Sequence, residues 1–92
     1  MDAQLGQLVT SRAGRDSGQQ FLVVGYNGQR ILVADGKLRS VKRPKEKNTR
    51  HICLHTVVAE EIRTKLIANM SVSDADIRAA LERLQHGGEE VD

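Results

Sequence analysis

The chain is poor in several residue types that commonly anchor a small protein or give it chemistry. It has no tryptophan, and Phe21 and Tyr26 are its only aromatics, so its core must come from Val, Ile, Leu and Ala. Proteins that hold unwound nucleic acid usually stack bases on aromatic rings, and two such rings do not make a platform. The single cysteine, Cys53, excludes an internal disulfide and a cysteine-rich zinc cage. The apolar run Phe21 to Val24 is as long as any in the chain, far short of the roughly 20 residues of a membrane helix. Residues 1–8 hold an acid and neither a basic nor an apolar leader region, so no secretory signal is expected and a cytoplasmic location is. What remains suits one folded domain: 92 residues, 39% hydrophobic and 28% charged, with no internal repeat.

The net charge of +2 conceals an asymmetry. Up to His51 the chain carries ten Lys/Arg against four Asp/Glu, and from Ile52 onward four against eight. Within 37–50, seven bases (Lys37, Arg39, Lys42, Arg43, Lys45, Lys47, Arg50) face the single acid Glu46. Like charges repel inside a Debye length of about 8 Å, so gathering seven of them is costly. A solvated loop needs no such excess, whereas a polyanionic partner explains it.

Residues 5–55 follow strand grammar. A short β-rich run at 5–10 ends in a turn-prone stretch, 11–18, and residues 21–24 follow, apolar on both faces. That two-faced pattern fits a curved small barrel better than an open sheet wet on one side. Gly25 is a natural site for a bend or bulge. Asn27-Gly28 signals a type I′ hairpin turn, whose two central residues both need positive φ. Residues 31–35 return antiparallel, Gly36 turns the chain, and 38–42 is an expected fourth strand, irregular because Leu38 and Val41 are three apart. Pro44 interrupts the ladder, and 50–55 is an expected fifth strand alternating Ile52 and Leu54 with His51, Cys53 and His55.

The period changes at Val57. Val58, Ile62, Leu66 and Met70 recur every fourth residue and predict a helix over 57–69, with Glu60 and Glu61 early and Lys65 late, as the helix dipole favours. Ser73 and Asp76 have capping-box spacing for a second helix over 73–86, with Ile77, Ala80, Leu81 and Leu84 as its apolar face. Gly87-Gly88 is expected to stop it, leaving a frayed acidic tail. The fold class is therefore mainly β with an α extension: a small five-stranded barrel over 1–56, then one or two helices over 57–92. The helices are expected to pack on the barrel or on each other. Alternatives are a tether to another protein, or an acidic appendage folding over the basic segment.

One stretch resembles a known family. Gln7-Leu8-Val9, the basic Gly-containing loop 11–17, Gly18, and Phe21 to Val24 follow the KOW pattern of strand, loop, key glycine and strand. Val33-Ala34-Asp35-Gly36, Leu38-Arg39 and Lys42-Arg43-Pro44-Lys45 extend the likeness. Residues 5–56 thus resemble small bacterial KOW-domain RNA-binding proteins, relatives of a large-subunit ribosomal protein of archaea and eukaryotes. The resemblance implies an SH3-like barrel that binds structured RNA, ribosomal RNA above all, in association with the ribosome or a ribosomal protein. Residues 57–92 lie outside it.

The residues support that direction on their own. Gly14 and Gly18 free the loop backbone, and Arg12 and Arg15 offer guanidinium forks suited to phosphate oxygens. The candidate RNA-binding set is Arg12, Arg15, Lys37, Arg39, Lys42, Arg43, Lys45, Lys47 and Arg50, with His51 beside it. Duplex RNA is read mainly through backbone, 2′-OH and shape, a mode that needs cations more than aromatics. About four phosphate contacts would give log K against log salt a slope near −3. Alanine at Lys42, Arg43, Lys45 and Lys47 together is expected to flatten that slope and leave the fold intact. Alternation places His51, Cys53 and His55 on one strand face, but neighbours there are about 7 Å apart and no fourth ligand is evident. No catalytic group, metal, cofactor, membrane contact or small-molecule substrate is expected. The other functional class in view is a protein-interaction adaptor for which RNA contact is secondary.

Overall fold

The computed structural model describes residues 3–90, with side chains through 85, and runs five strands into two helices. The strands are β1 (Gln7–Ser11), β2 (Gln20–Asn27), β3 (Arg30–Ala34), β4 (Lys45–Lys47) and β5 (Ile52–Val58); the helices are α1 (Glu60–Ile67) and α2 (Asp74–Glu90). All strand pairs are antiparallel, in the order β4-β3-β2-β1-β5. The protein is thus mainly β, a five-stranded sheet followed by two C-terminal helices. No helix among the described residues is long and apolar enough to cross a membrane.

The two-faced apolarity of β2 is explained by burial on both sides of the sheet. Val9, Phe21, Val23, Ile31, Val33 and Ile52, drawn from four strands, form one buried cluster. On the opposite face Leu8 and Leu22 meet Ala59, Ile62, Ile77, Ala80 and Leu81. The expected packing of the helical stripes on the sheet is therefore found, although Met70, at the end of the first stripe, is exposed. What hides the second face of β2 is the helix pair.

Several boundaries differ from the sequence reading, each for a local reason. β2 does bulge at the expected place, between Val23 and Gly25, and the extra residue shifts the pairing so that Asn27 faces Arg30. The turn therefore sits on Gly28-Gln29, with positive φ at Gly28 (+61°) but not at Asn27 or Gln29, the type II′ pattern rather than I′. Asn27 stays in the strand and donates its side-chain amide to Glu46 Oε2 at 2.9 Å.

The fourth strand is at Lys45–Lys47, after Pro44, and not at 38–42. Asp35 diverts the chain: its Oδ1 accepts the N–H groups of Lys37 and Arg39 at 2.9 Å each, and its own N–H donates to the Arg39 carbonyl. With the Arg39 N–H on Asp35 and the Val41 N–H on Asp74, this stretch cannot present the regular row of donors that a ladder needs. The fifth strand begins later than expected, because Thr49–His51 forms a 3-10 turn capped by Asn48, and it runs on through the β-branched pair Val57-Val58. The first helix consequently starts at Glu60, not at 57. It ends at Ile67 because Asn69 takes φ +56°, with Asn69 N–H bonding to Leu66 and Met70 N–H to Lys65, a Schellman motif. The second helix starts with the expected capping box, Ser73 N–H to Asp76 Oδ2 and Asp76 N–H to Ser73 Oγ. It continues through Gly87-Gly88 to Glu90, where the two glycines were expected to stop it; Val91 and Asp92 of the acidic tail lie outside the described residues.

Candidate nucleic-acid interface

The loop joining β1 to β2 is held by one carboxylate. Ser11 and Gly18 carry the ladder past the strand ends (Gly18 N–H to Ser11 carbonyl, 2.8 Å), and Gly14 and Gly18 both adopt positive φ, as their positions suggested. Inside the loop, Asp16 Oδ1 accepts from Lys47 Nζ at 2.8 Å and Ser11 Oγ at 2.7 Å. Asp16 Oδ2 makes no well-directed hydrogen bond but lies 2.9 Å from Lys45 Nζ, a charge contact. Burial by itself pushes the Asp16 carboxyl up. Hydrogen bonds from Lys47 and Ser11, with the close positive charge of Lys45, outweigh it and hold the group well below its ordinary 3.8.

Strand alternation selects which lysines serve this loop. Lys47 pairs with Ile31 and Lys45 with Val33, two residues of the buried cluster, so both lysines share that face while Glu46 turns outward to Asn27. Lys47 is 7% exposed and also donates to the Ala13 carbonyl at 3.1 Å. Two of the nine candidate cations are thus structural ties between β4 and the loop. The expectation that four alanines at 42, 43, 45 and 47 would leave the fold untouched gives way here, because losing Lys47 leaves the half-buried Asp16 carboxylate short of its main partner.

The other seven, Arg12, Arg15, Lys37, Arg39, Lys42, Arg43 and Arg50, are exposed, and none pairs with an acidic side chain among the described residues. Arg15 and Arg39 come together with Lys45 at a cleft of about 360 Å³ between the β1–β2 loop and the turn after β3. Arg12 is drawn to Arg50 and His51 by its N–H bond to the His51 carbonyl, 2.8 Å. Lys42 and Arg43 sit in a turn whose amides bond to Ser40 Oγ. Lys37 borders a different groove, toward Arg78, Glu82 and Gln85 of α2. The cations therefore form neighbouring groups on three connections rather than one point cluster.

The C-terminal half fixes this arrangement. Arg78 donates to the Gly36 carbonyl at 2.6 Å, and Asp74 Oδ1 accepts the Val41 N–H at 2.7 Å. Gly36 has φ +76°, and a Cβ there would lie 2.5 Å from the Asp74 carbonyl oxygen, so only glycine allows this approach. The N-terminal turns of α2 thus grip the basic connection by its backbone and leave its cations outward.

The sequence reading missed Asp16 and Asp35 as organisers. The available signals were an acid alone among the loop glycines, and an Asp before Gly at a strand end, a known turn-former. Of the competing chemistry, His51 lies in the 3-10 turn, Cys53 is exposed, and His55 Nε2 shares a 2.7 Å hydrogen bond with Thr10 Oγ1. Among the described residues, no three His, Cys, Asp or Glu side chains group closely enough to hold a metal ion. No protein-family model matches the chain, and no curated protein matches it.

Proposed function

We propose that this protein is a non-enzymatic RNA-binding module of the KOW type, contacting structured RNA, ribosomal RNA above all, in the cytoplasm and in association with the ribosome. The observation that carries this reading is the unequal pairing of charge. Seven exposed cations on the connections around β4 and the β1–β2 loop lack acidic partners among the described residues, and backbone hydrogen bonds to Asp35, Ser40, Asn48, His51 and Asp74 tie down the connections that carry most of them. Cations without protein partners, carried on hydrogen-bonded turns, suit phosphates, because their charge is uncompensated and little loop entropy is left to lose on binding. The strand order β4-β3-β2-β1-β5 is compatible with an SH3-like barrel left open between β4 and β5. The near absence of aromatics favours a duplex or a folded RNA over an unwound strand.

Binding to a structured RNA hairpin, measured across salt concentrations, tests the reading. A slope of log K against log salt near −3 is expected, about a hundredfold loss between 50 and 200 mM; a flat response, or no binding, rejects it. Exposed Ile67 and Met70 near the C-terminal end of α1 favour a second reading, an adaptor that docks on a ribosomal or transcription protein. Such an adaptor has no need of salt-steep RNA affinity.

A further inference from the structure

An apolar side chain stands among the cations. Leu38 is 77% exposed, between Lys37 and Arg39, at the tip of the turn that Asp35 closes. A lone exposed leucine is ordinary on a surface. This one is fixed: Asp35 Oδ1 holds the N–H groups on both sides of it, the Asp35 and Gly36 N–H groups bond to the Arg39 carbonyl at 3.0 Å, and Gln19 anchors Asp35 Oδ2 at 2.7 Å. It lines a cleft together with Arg15, Asp16, Gln19, Phe21, Arg39 and Lys45. The cleft therefore combines the apolar Leu38 side chain with two guanidinium groups that have no acidic partner among the described residues, and with a third cation, Lys45, that is neutralised in part by Asp16. At about 360 Å³ it lies at the lower end of the range, about 300 to 1,000 Å³, that takes small organic groups.

We infer that this cleft receives one extruded nucleotide of an otherwise folded RNA, its base against Leu38 and its flanking phosphates on Arg15 and Arg39. The inference rests on the RNA-binding reading and adds to it the local feature recognised: a bulged or looped-out nucleotide rather than uniform duplex. Bases stacked inside a helix cannot enter a cleft, whereas an unpaired one costs little to expose. An apolar wall gains nothing from phosphate or ribose, so its value lies with the base. The arginines supply the charge that a backbone needs wherever it passes.

The test compares an RNA hairpin carrying one unpaired nucleotide in its stem with the same hairpin fully paired, each bound by the wild-type protein and by Leu38→Ser. Since the leucine is exposed and the substitution keeps the charge, the variant folds as before, which its melting curve checks. The wild type is expected to bind the bulged hairpin about fivefold tighter, in the lower range for single-base contacts, and Leu38→Ser to bind both alike with an unchanged salt slope. Equal binding of the two hairpins by the wild type, or a preference that survives Leu38→Ser, overturns the inference while leaving the RNA-binding reading standing. Failure to bind either hairpin overturns both.

Discussion

The two halves of this chain treat their charges in opposite ways. After Ile52 the cations are engaged within the protein: Arg63 with Glu60, Lys65 with Asp76, Arg83 with Glu61, and Arg78 on the Gly36 carbonyl. Before it, only Lys45 and Lys47 meet an acid, both at Asp16, and eight cations have no acidic partner among the described residues. Among the described residues, the acids of the helices do not neutralise the basic half. Asp74 touches that half through the Val41 N–H and meets none of its cations, and no ion pair joins the helices to the basic segment among the described residues. The lesson is a division of labour in which one half supplies free charge, while the other pairs its own charges and adds Asp74 and Arg78 to the ties that keep the first half's cations outward.

The largest expected effect follows from that frame. Ile77 is fully buried between α2 and the sheet, and Ile77→Ala should cost about 2–5 kcal/mol in urea unfolding. Loss of well under 1 kcal/mol would make α2 an appendage and end the comparison. A smaller effect separates cations of the same segment. Lys47→Ala should cost about 3 kcal/mol, the low end for breaking a buried pair, since Lys45 and Ser11 remain on Asp16. Lys42→Ala, at an exposed and unpaired site, should stay within about 0.5 kcal/mol. Equal effects would erase the distinction between ties and contacts.

A still smaller effect concerns acid. The Asp16 carboxyl is held below its ordinary 3.8, so its contribution to stability is fully present above that pH. It is lost as pH falls from there through the lower folded-state value. In acid titrations followed by circular dichroism, Asp16→Asn should begin from lower stability and show a flatter decline below about pH 4 than the wild type. Parallel declines would show that other carboxylates set the acid limit.

Much of the scaffold was legible in the sequence because its signals are local and periodic. The strands around Phe21 and Ile31, the bulge at Gly25 and the Ser73–Asp76 cap depend on near neighbours, and all appear where alternation and spacing put them. What escaped depends on distant partners. Residues 38–42 carry strand-like side chains, but Asp35 and Asp74 take the backbone N–H groups of Arg39 and Val41. Lys47 reads as one more cation in a run until β4 pairs with β3 and turns it inward beside Ile31, against an aspartate 31 residues earlier. The composition of the candidate site could therefore be read, but not which of its cations are free.

That distinction is also the central claim, and the salt dependence of RNA affinity in two charge-matched variants tests it most directly. One replaces Arg15, Arg39 and Arg43 with alanine, three exposed cations without acidic partners; the other replaces Arg63, Lys65 and Arg83, three that have them. The account predicts that the first lowers the magnitude of the log K against log salt slope by about 2 to 3, while the second leaves it at the wild-type value. Equal flattening in both, or a slope kept by the first and lost by the second, would contradict it.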